Sequence, residues 1–295
     1  MSTGPSYHAV CPSGHPEATW RTVMIDVPGA AWEYVAPQVP SYVVDCPTCA
    51  TADLLTAYDE HVRRAPTGAV VERDGPVVRV LDGPGRWSGV TWSACSAADV
   101  EAVVAAQVAR FAGRPWEWKL YSYDSPGDLG ARLVAAGLRP GPVETLMVAR
   151  LGDLTLDAPP PPGVRLVPVG DADGIEALVR VHDEVFGGDH GAVGRALLGR
   201  SDVTAVLALA GDQPVGAARL ELTAGCPFAG LCGGGTVPSW RGRGVFRSLV
   251  SYRAALAAAA GRPYLHVDAS AASRPVLERL GFLPLGSTTP YRFGG

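Results

Sequence analysis

The sequence lacks long apolar segments and a strong charge of either sign. None of its apolar runs approaches the roughly 20 residues that a membrane-spanning helix needs. The first ten residues, MSTGPSYHAV, lack the basic start and apolar stretch of a secretory signal peptide. The formal net charge is only −4, which does not favour a broad basic surface for nucleic acid. We therefore expect a cytoplasmic protein that has neither a membrane nor nucleic acid as a partner.

Cysteines are few, and their spacing is informative. A cytosolic location favours free thiols or metal ligands over disulfides. The pair Cys46-Pro-Thr-Cys49 forms a turn typical of half a zinc site, and Cys11 and His15 can supply the other two ligands. The residues between them are predicted to form three short strands, at Thr22–Val27, Ala31–Val35 and Ser41–Val44. The segment resembles a zinc ribbon with structural Zn²⁺, and the alternative is a small β extension with free thiols.

The length suggests more than one domain. We expect a zinc-ribbon-like extension at residues 1–50, a mixed α/β domain at 51–157 and a second one at 164–295. The two larger segments are joined by the stiff linker Ala158-Pro-Pro-Pro-Pro-Gly163. In the last segment the pattern predicts a strand, two helices, three strands, a helix, a strand, a helix and two strands.

The most informative motif lies between a predicted strand and a long predicted helix. It reads Thr236-Val-Pro-Ser-Trp-Arg241-Gly-Arg-Gly244-Val-Phe246. Glycines let the backbone approach a ligand closely, and the first amides of a helix have no intrahelical partner. The positive end of the helix dipole and two arginines favour an anion there. The sequence therefore predicts a cradle for a pyrophosphate, and the alternative is an arginine-rich turn on the surface.

Arg241-Gly-Arg-Gly244 in this setting resembles the acetyl-CoA loop of the GNAT N-acetyltransferase superfamily, usually Arg/Gln-x-x-Gly-x-Gly/Ala. Ser273-Arg-Pro-Val-Leu-Glu-Arg-Leu-Gly-Phe282 resembles the helix and turn that follow in that family. The resemblance covers about residues 164–293 and implies an α/β fold with a GNAT-like mixed sheet flanked by helices. It also implies that acetyl-CoA is bound by Gly234, Thr236, Val237, Arg241, Gly242, Arg243, Gly244, Val245 and Phe246.

The sequence departs from the family pattern at the residues expected to do chemistry. The last position of the loop pattern, which is a small residue in the family, is Phe246 here. The tyrosine that usually acts as the acid in the family aligns with Leu277. The usual asparagine aligns with Ser270, and the strand 228–237 contains no glutamate to act as a base. The cofactor assignment is therefore stronger than any catalytic assignment.

Acyl transfer to an amine needs a base, a stabilised oxyanion and a proton donor. The amide of Thr236 or Val237 can stabilise the oxyanion. Asp268 or Glu221 is our candidate base, and Tyr291 is the candidate proton donor. The alternatives are a structural pair of Asp268 with His266, which lie on one face of a strand, and ordinary strand packing for Tyr291.

Three further residues are predicted to bind the substrate. Asp189 and His190 follow the first helix of the last segment, where the family often borders its acceptor pocket; the alternative is a solvated turn or a helix cap. His266 shares a strand face with Asp268.

Residues 51–157 repeat part of the last segment in weaker form. Ala131-Arg-Leu-Val-Ala-Ala-Gly-Leu138 parallels Leu277-Glu-Arg-Leu-Gly-Phe282, but Trp92-Ser-Ala-Cys-Ser-Ala97 replaces the arginine–glycine loop. We interpret this segment as a degenerate GNAT-like copy that does not bind CoA. The chain thus resembles tandem GNAT proteins.

The function predicted from the sequence is transfer of an acetyl or other acyl group from acetyl-CoA to a small-molecule or peptide amine. One alternative is a non-catalytic CoA-binding or regulatory module. Another is an acyltransferase that takes its donor from a carrier protein or an aminoacyl-tRNA. The sequence predicts no oligomeric state.

Overall fold

The structure is a computed structural model that describes residues 19–26, 38–45, 47–68, 70–82, 86–156, 158–197 and 199–294. The chain divides between Ala57 and Tyr58 into two compact units. In the first unit, strand β1 (Thr19–Asp26) pairs antiparallel with β2 (Gln38–Asp45), and helix α1 (Pro47–Tyr58) follows. These strands match two of the three predicted there, and Ala31–Val35 lies outside the described residues.

The predicted zinc ligands fall mostly outside the described residues. Cys11, His15 and Cys46 are not among them, and Cys49 lies in the first turn of α1. Within the described ranges, no group of three or more His, Cys, Asp or Glu side chains is placed to hold a metal ion. The structure therefore gives the zinc prediction no support.

The second unit begins with strands and helices that we call the N-terminal half, residues 58–156. A short π-helical turn at Asp59–Arg63 opens it. Its strands are β3 (Val70–Asp74), β4 (Val77–Leu81), β5 (Gly89–Ser93), β6 (Trp116–Tyr121), β7 (Arg139–Pro140) and β8 (Glu144–Arg150). Its helices are α2 (Val100–Arg110) and α3 (Leu129–Ala135).

The C-terminal half, residues 158–294, contains the remaining elements. Its strands are β9 (Val164–Val169), β10 (Val203–Ala210), β11 (Gln213–Glu221), β12 (Phe228–Thr236), β13 (Tyr264–Ala269) and β14 (Leu283–Phe293). Its helices are α4 (Ala172–Phe186), α5 (Gly191–Leu197), α6 (Val245–Ala259) and α7 (Arg274–Leu280). The two strands predicted after residue 281 form one strand, β14, with a register shift between Pro284 and Gly286.

Both halves contribute to one mixed sheet of twelve strands. Its order is β3-β4-β5-β6-β14-β8-β13-β12-β11-β10-β9, and β7 pairs with β14. The predicted linker at 158–163 contains no helix or strand, and it joins two halves of one sheet. The division into separate domains there stays a prediction.

The halves exchange their last strands. β8 of the N-terminal half pairs antiparallel with β13, and β14 of the C-terminal half pairs antiparallel with β6. β8 and β14 also pair with each other at the centre of the sheet. Each half contains one pair of parallel neighbouring strands: β5 with β6, and β12 with β13. The two halves therefore share this pattern of strand pairing, and the interpretation of the N-terminal half as a degenerate copy stays a prediction.

Helices cover both faces of the C-terminal half of the sheet. α4 and α6 both pack on β11 and β12, so they must lie on opposite faces. β11 is buried on both faces along Val215–Ala218, as expected for a strand between two helical layers. No helix in the described part of the chain is both long enough and apolar enough to cross a membrane.

Candidate functional site

The sheet opens between β12 and β13. Their parallel pairing is limited to Phe228–Gly230 with Tyr264–His266. β12 continues to Thr236 and β13 to Ala269 without further pairing between them. The facing backbone edge of β12 is therefore left open for another extended chain.

A cavity of about 470 Å³ occupies this opening. Its lining includes His182 and Phe186 from α4 and Phe246 and Arg253 from α6. Because α4 and α6 lie on opposite faces, the cavity passes through the sheet. The rest of the lining comprises Glu144, His190, Val193, Arg219, Leu231, Gly233, Gly234, Val267, Asp268, Ser270, Ser273, Leu277 and Arg292.

The arginine–glycine loop lies where the sequence predicts, between β12 and α6. Gly242 and Gly244 have φ of 75° and 93°, a region that side chains disfavour. Gly244 precedes the first helical residue, Val245, and no side chain caps the helix. The amides of its first turn thus have no intrahelical acceptor and lie at the positive end of the helix dipole. This end of α6 has the geometry of an anion site.

The arginines of this loop are held by local contacts. Arg241 Nε donates to the carbonyl oxygen of Thr236 at 3.2 Å. The Arg243 guanidinium lies over the Trp240 ring, 4.7 Å from its centroid. The Val237 amide donates to the Val215 carbonyl at 3.0 Å, so it is not free to stabilise an oxyanion.

Three consecutive glycines make room for side chains from both helical layers. A Cβ on Gly233 would lie 2.9 Å from the His182 ring, and one on Gly235 would lie 2.8 Å from Val185. On the other face, a Cβ on Gly234 would lie 3.1 Å from Arg253 and 3.2 Å from the Phe246 ring. Phe246, the departure from the small residue of the loop pattern, therefore packs against a glycine.

Of the predicted catalytic residues, Asp268 is the one that lines the cavity. Its Oδ2 accepts a hydrogen bond from Lys119 of β6. Its Oδ1 is buried and has no hydrogen-bond partner among the described residues. The Asp268 carboxylate is thus ion-paired through Oδ2, and Oδ1 can accept a hydrogen bond from a ligand.

Glu221 and Tyr291 are not part of the described lining. Glu221 ends β11, opposite Gly230. The Tyr291 hydroxyl packs against α3, where a Cβ on Gly130 would lie 2.5 Å from it. The geometry therefore gives neither residue a position beside the cavity.

His266 faces a buried aromatic group. Its ring centroid lies 5.3 Å from that of Tyr58 and 6.3 Å from that of Phe228. Burial lowers the pKa of His266 to about 4, so the ring is neutral at pH 7. These contacts fit packing rather than substrate binding.

The two predicted loop residues differ in their positions. Asp189 accepts a hydrogen bond from the Gly191 amide at 2.7 Å, and it is exposed at the start of α5, as a helix cap would be. His190 lines the cavity, and its Nδ1 lies 2.9 Å from Oδ1 of Asp183.

Sequence reasoning missed five ionisable residues of the cavity: Glu144, His182, Arg219, Arg253 and Arg292. Glu144 belongs to the N-terminal half and reaches the cavity because β8 is exchanged. Burial, with a contribution from the Asp268 charge, raises its pKa. The available signal for His182, Arg219 and Arg253 was a charged or polar residue on an otherwise apolar helix or strand face.

His182 is buried in α4 and directed at β12. Its Nε2 lies 2.9 Å from the Gly233 carbonyl oxygen, which can only accept, so Nε2–H is the donor. Burial and then the nearby Arg219 charge lower the pKa of His182 to about 4. The neutral ring holds the glycine strand in place.

The corresponding opening in the N-terminal half is filled by Arg63. β5 and β6 pair only along Gly89–Val90, and Arg63 Nε donates to the next carbonyl oxygen, that of Thr91, at 3.1 Å. The Arg63 guanidinium lies over the Tyr121 ring of β6 at 3.9 Å. Asp124 binds it through both carboxylate oxygens, at 2.7 and 2.8 Å. An extended ligand cannot enter between β5 and β6 while Arg63 occupies this position.

No protein-family model matches the sequence, and no curated protein matches it. Solved structures do match. A GCN5-related N-acetyltransferase from Kribbella flavida is 21% identical with a TM-score of 0.62, and the match covers 83% of this chain and 96% of that one. A functionally unknown conserved protein from Staphylococcus epidermidis is 15% identical with a TM-score of 0.56, covering 75% and 92%.

A third solved structure matches almost the whole chain. It is a tandem GNAT protein from the clavulanic acid biosynthesis pathway, 14% identical with a TM-score of 0.52, and the match covers 93% of this chain and 98% of that one. At these identities the likeness concerns the fold. The predicted fold class is confirmed: the chain has the mixed α/β fold of the GCN5-related N-acetyltransferases, with a large mixed sheet flanked by helices.

Proposed function

We propose that the chain is an acyltransferase that transfers an acyl group, in the simplest case acetyl, from acyl-CoA to an amine. One observation carries the proposal: the opening between β12 and β13 joins an anion site at the start of α6 to a cavity that passes through the sheet. This connects a place for the CoA pyrophosphate with a place where donor and acceptor can meet. The GNAT-like fold supports the same function.

In this proposal the amides of the first turn of α6, with Gly242 and Gly244, bind the pyrophosphate. Arg241 and Arg243 add positive charge. The pantetheine arm pairs with the open edge of β12 near Gly234 and Thr236, as an added strand would. The N-terminal half acts as a degenerate GNAT-like copy, whose own opening is closed by Arg63, so we expect one CoA per chain.

The chemistry follows from the ionisable groups of the cavity. A neutral amine attacks the thioester carbonyl, the C–S bond breaks, and CoA leaves as the thiol after gaining a proton. A base must take the proton that the amine loses. Glu144 suits this role because burial raises its pKa, which makes its carboxylate a stronger base. Asp268 remains a candidate through its Oδ1, which has no hydrogen-bond partner among the described residues.

A second candidate function is a CoA-binding module without catalysis. The observation that favours it is the ion pair of Asp268 with Lys119, which occupies a carboxylate that a catalyst would use.

For the acyltransferase, we propose that the acceptor is a small-molecule amine. It binds at the end of the cavity where Glu144 and Asp268 lie, so that one of these carboxylates can take its proton.

The test combines binding and turnover. Calorimetry with acetyl-CoA measures binding, and release of free CoA across a panel of amines measures transfer. We expect one bound acetyl-CoA per chain and amine-dependent CoA release. Binding without turnover on any amine would favour the module, and absence of binding would contradict both candidates.

A further inference from the structure

Arg253 is a buried cation without an acidic partner. The residue is only 2% exposed. Its Nε donates to the Leu249 carbonyl at 3.0 Å, and its Nη1 donates to the carbonyls of Arg219 at 3.0 Å and Cys232 at 3.5 Å. No carboxylate among the described residues pairs with it. A buried charge held only by neutral carbonyls is costly unless a ligand completes the site.

The remaining edge of this guanidinium faces the reaction cavity. A Cβ on Gly234 would lie 3.1 Å from Arg253 Nη2, and both residues line the cavity. No protein acceptor within the described ranges contacts Nη2. Arg253 is eight residues beyond the start of α6, or about 12 Å along the helix axis. Its side chain turns back toward the helix start, since Nε donates to the Leu249 carbonyl, and its guanidinium reaches the cavity beside Gly234.

A second arginine lines the same cavity from β11. Arg219 Nε is buried, has no hydrogen-bond partner among the described residues, and would lie 3.2 Å from a Cβ on Gly233. Burial first, with a contribution from the Arg219 charge, lowers the pKa of Arg253 to about 10, so the Arg253 guanidinium is charged at pH 7. Gly233 and Gly234 have no side chains, which leaves room beside β12 for Arg219 on one face and Arg253 on the other.

We propose that Arg253 binds the carboxylate of a reactant inside the cavity, and that Arg219, on the other face of β12, adds positive charge to the same cavity. This inference rests on the proposed acyltransferase function and deepens it. The carboxylate has two possible sources with the same chemistry. It is either the distal carboxylate of a dicarboxylic acyl group on CoA or the carboxylate of an amino-acid acceptor. In both cases a charge-assisted pair of guanidinium and carboxylate offsets the cost of the buried cations.

The donor arm of the test compares succinyl-CoA with butyryl-CoA, whose acyl chains have the same number of carbons and differ in the terminal carboxylate. Binding is measured by calorimetry, which needs no acceptor. The acceptor arm compares kcat/KM for amino acids with that for the matching amines without the carboxylate, using acetyl-CoA. We expect a preference of about tenfold or more for the carboxylate-bearing reactant in one arm. The arm that shows it identifies the source.

Variants then connect the preference to the two arginines. Arg253→Met and Arg219→Met are each expected to reduce the preference about tenfold while binding of the uncharged partner is retained. The matched control is Arg262→Met, because Arg262 also donates to a carbonyl, that of Cys226, and is not part of the described lining. Circular dichroism checks folding, and Arg219→Met decides the question if Arg253→Met does not fold.

The outcomes separate the two levels of the proposal. Binding of acetyl-CoA with turnover, but equal use of carboxylate-bearing and uncharged reactants in both arms, would overturn the carboxylate site and leave the acyltransferase standing. A preference that persists in the folded arginine variants would also overturn it. Failure to bind any acyl-CoA would overturn both.

Discussion

Lys119 in β6 forms an ion pair with Asp268 in β13, across the two exchanged strands β14 and β8. Lys119 is the only lysine of the chain. Burial lowers the pKa of Lys119, but the charge and hydrogen bond of Asp268, together with Tyr58 and Glu117, raise it by more, so the ammonium stays charged. The pair thus fixes a cavity residue of the C-terminal half to the N-terminal half.

We expect Lys119→Met to lower the free energy of unfolding by about 1–3 kcal/mol, because it leaves the partly buried Asp268 carboxylate without its cation. Adding Asp268→Asn should recover part of this loss, since the pair is removed together. Urea denaturation measures both. Arg274→Met is the control, as its pair with Glu278 is exposed and should matter little. Strictly additive effects of the two substitutions would argue against the coupling.

The second prediction concerns the loop before α6. Gly244→Ala should weaken acetyl-CoA binding about tenfold or more, because a residue at φ 93° is strained and the nearby amides would shift. Calorimetry measures the affinity. Gly211→Ala is a matched control: Gly211 also has positive φ, 59°, but lies in the turn between β10 and β11. Equal loss of affinity in both variants would contradict the proposed role of the loop.

For Glu144 we predict a change in the pH profile. If its carboxylate is the base, kcat/KM rises with pH through its pKa, which burial raises above the usual range. Glu144→Gln should lower kcat/KM about 100-fold and remove that rise. Glu101→Gln makes the same charge change on α2, where Glu101 pairs with Arg132 away from the described lining, and should retain the profile. An unchanged acid limb in Glu144→Gln would exclude Glu144 as the base.

His182 should make folding sensitive to acid. Its pKa is about 4 in the folded state, below the ordinary value of 6.5, so the unfolded chain binds more protons between these values. Stability contributed by the neutral ring is therefore present above pH 6.5 and is lost as the pH falls to about 4. The loss amounts to at most roughly 3 kcal/mol.

His182→Gln keeps a donor for the Gly233 carbonyl and should reduce this pH dependence of the unfolding free energy. Chemical denaturation at several pH values measures it. The exposed His61 offers a control, since His61→Gln should leave the profile unchanged. If both variants follow the wild-type curve, buried His182 does not contribute to the acid sensitivity.

Arg63 should be essential to the stability of the N-terminal half. The side chains of Arg63 and Asp124 are each 2% exposed, and Arg63→Met would leave the Asp124 carboxylate buried and unpaired. We expect a loss of about 3–5 kcal/mol in unfolding free energy. Arg64→Met removes an exposed guanidinium that lies over Trp92 at 4.1 Å and should cost less than about 1 kcal/mol. Comparable losses in the two variants would contradict this interpretation.

Local patterns predicted the elements around the cavity well. The strands Val164–Val169 and Tyr264–Ala269 have the predicted bounds, and the long helix begins one residue after Gly244. Each of these depends on residues close in sequence: alternating side chains, turn glycines and a glycine at the helix start. The anion-binding geometry of the loop follows from the same local information.

Long-range pairing could not be read from the sequence. Glu144 and Lys119 belong to the N-terminal half, and only the exchange of β8 and β14 brings them to a cavity of the C-terminal half. Tyr291 was predicted as a proton donor because it lies in the last strand, but that strand pairs with β6 and β7, and its hydroxyl faces α3. Strand order between distant segments depends on packing that no local pattern encodes.

The strand exchange also constrains how the molecule is made. β14 is the last strand that the structure describes, yet it lies between β6 and β8, which a ribosome completes more than a hundred residues earlier. Until β14 is synthesised, β6 and β8 have unpaired edges facing its position. Such edges are prone to aggregation or to pairing with another chain. Closure of the sheet, and with it assembly of the cavity, is therefore a late step in folding of the nascent chain.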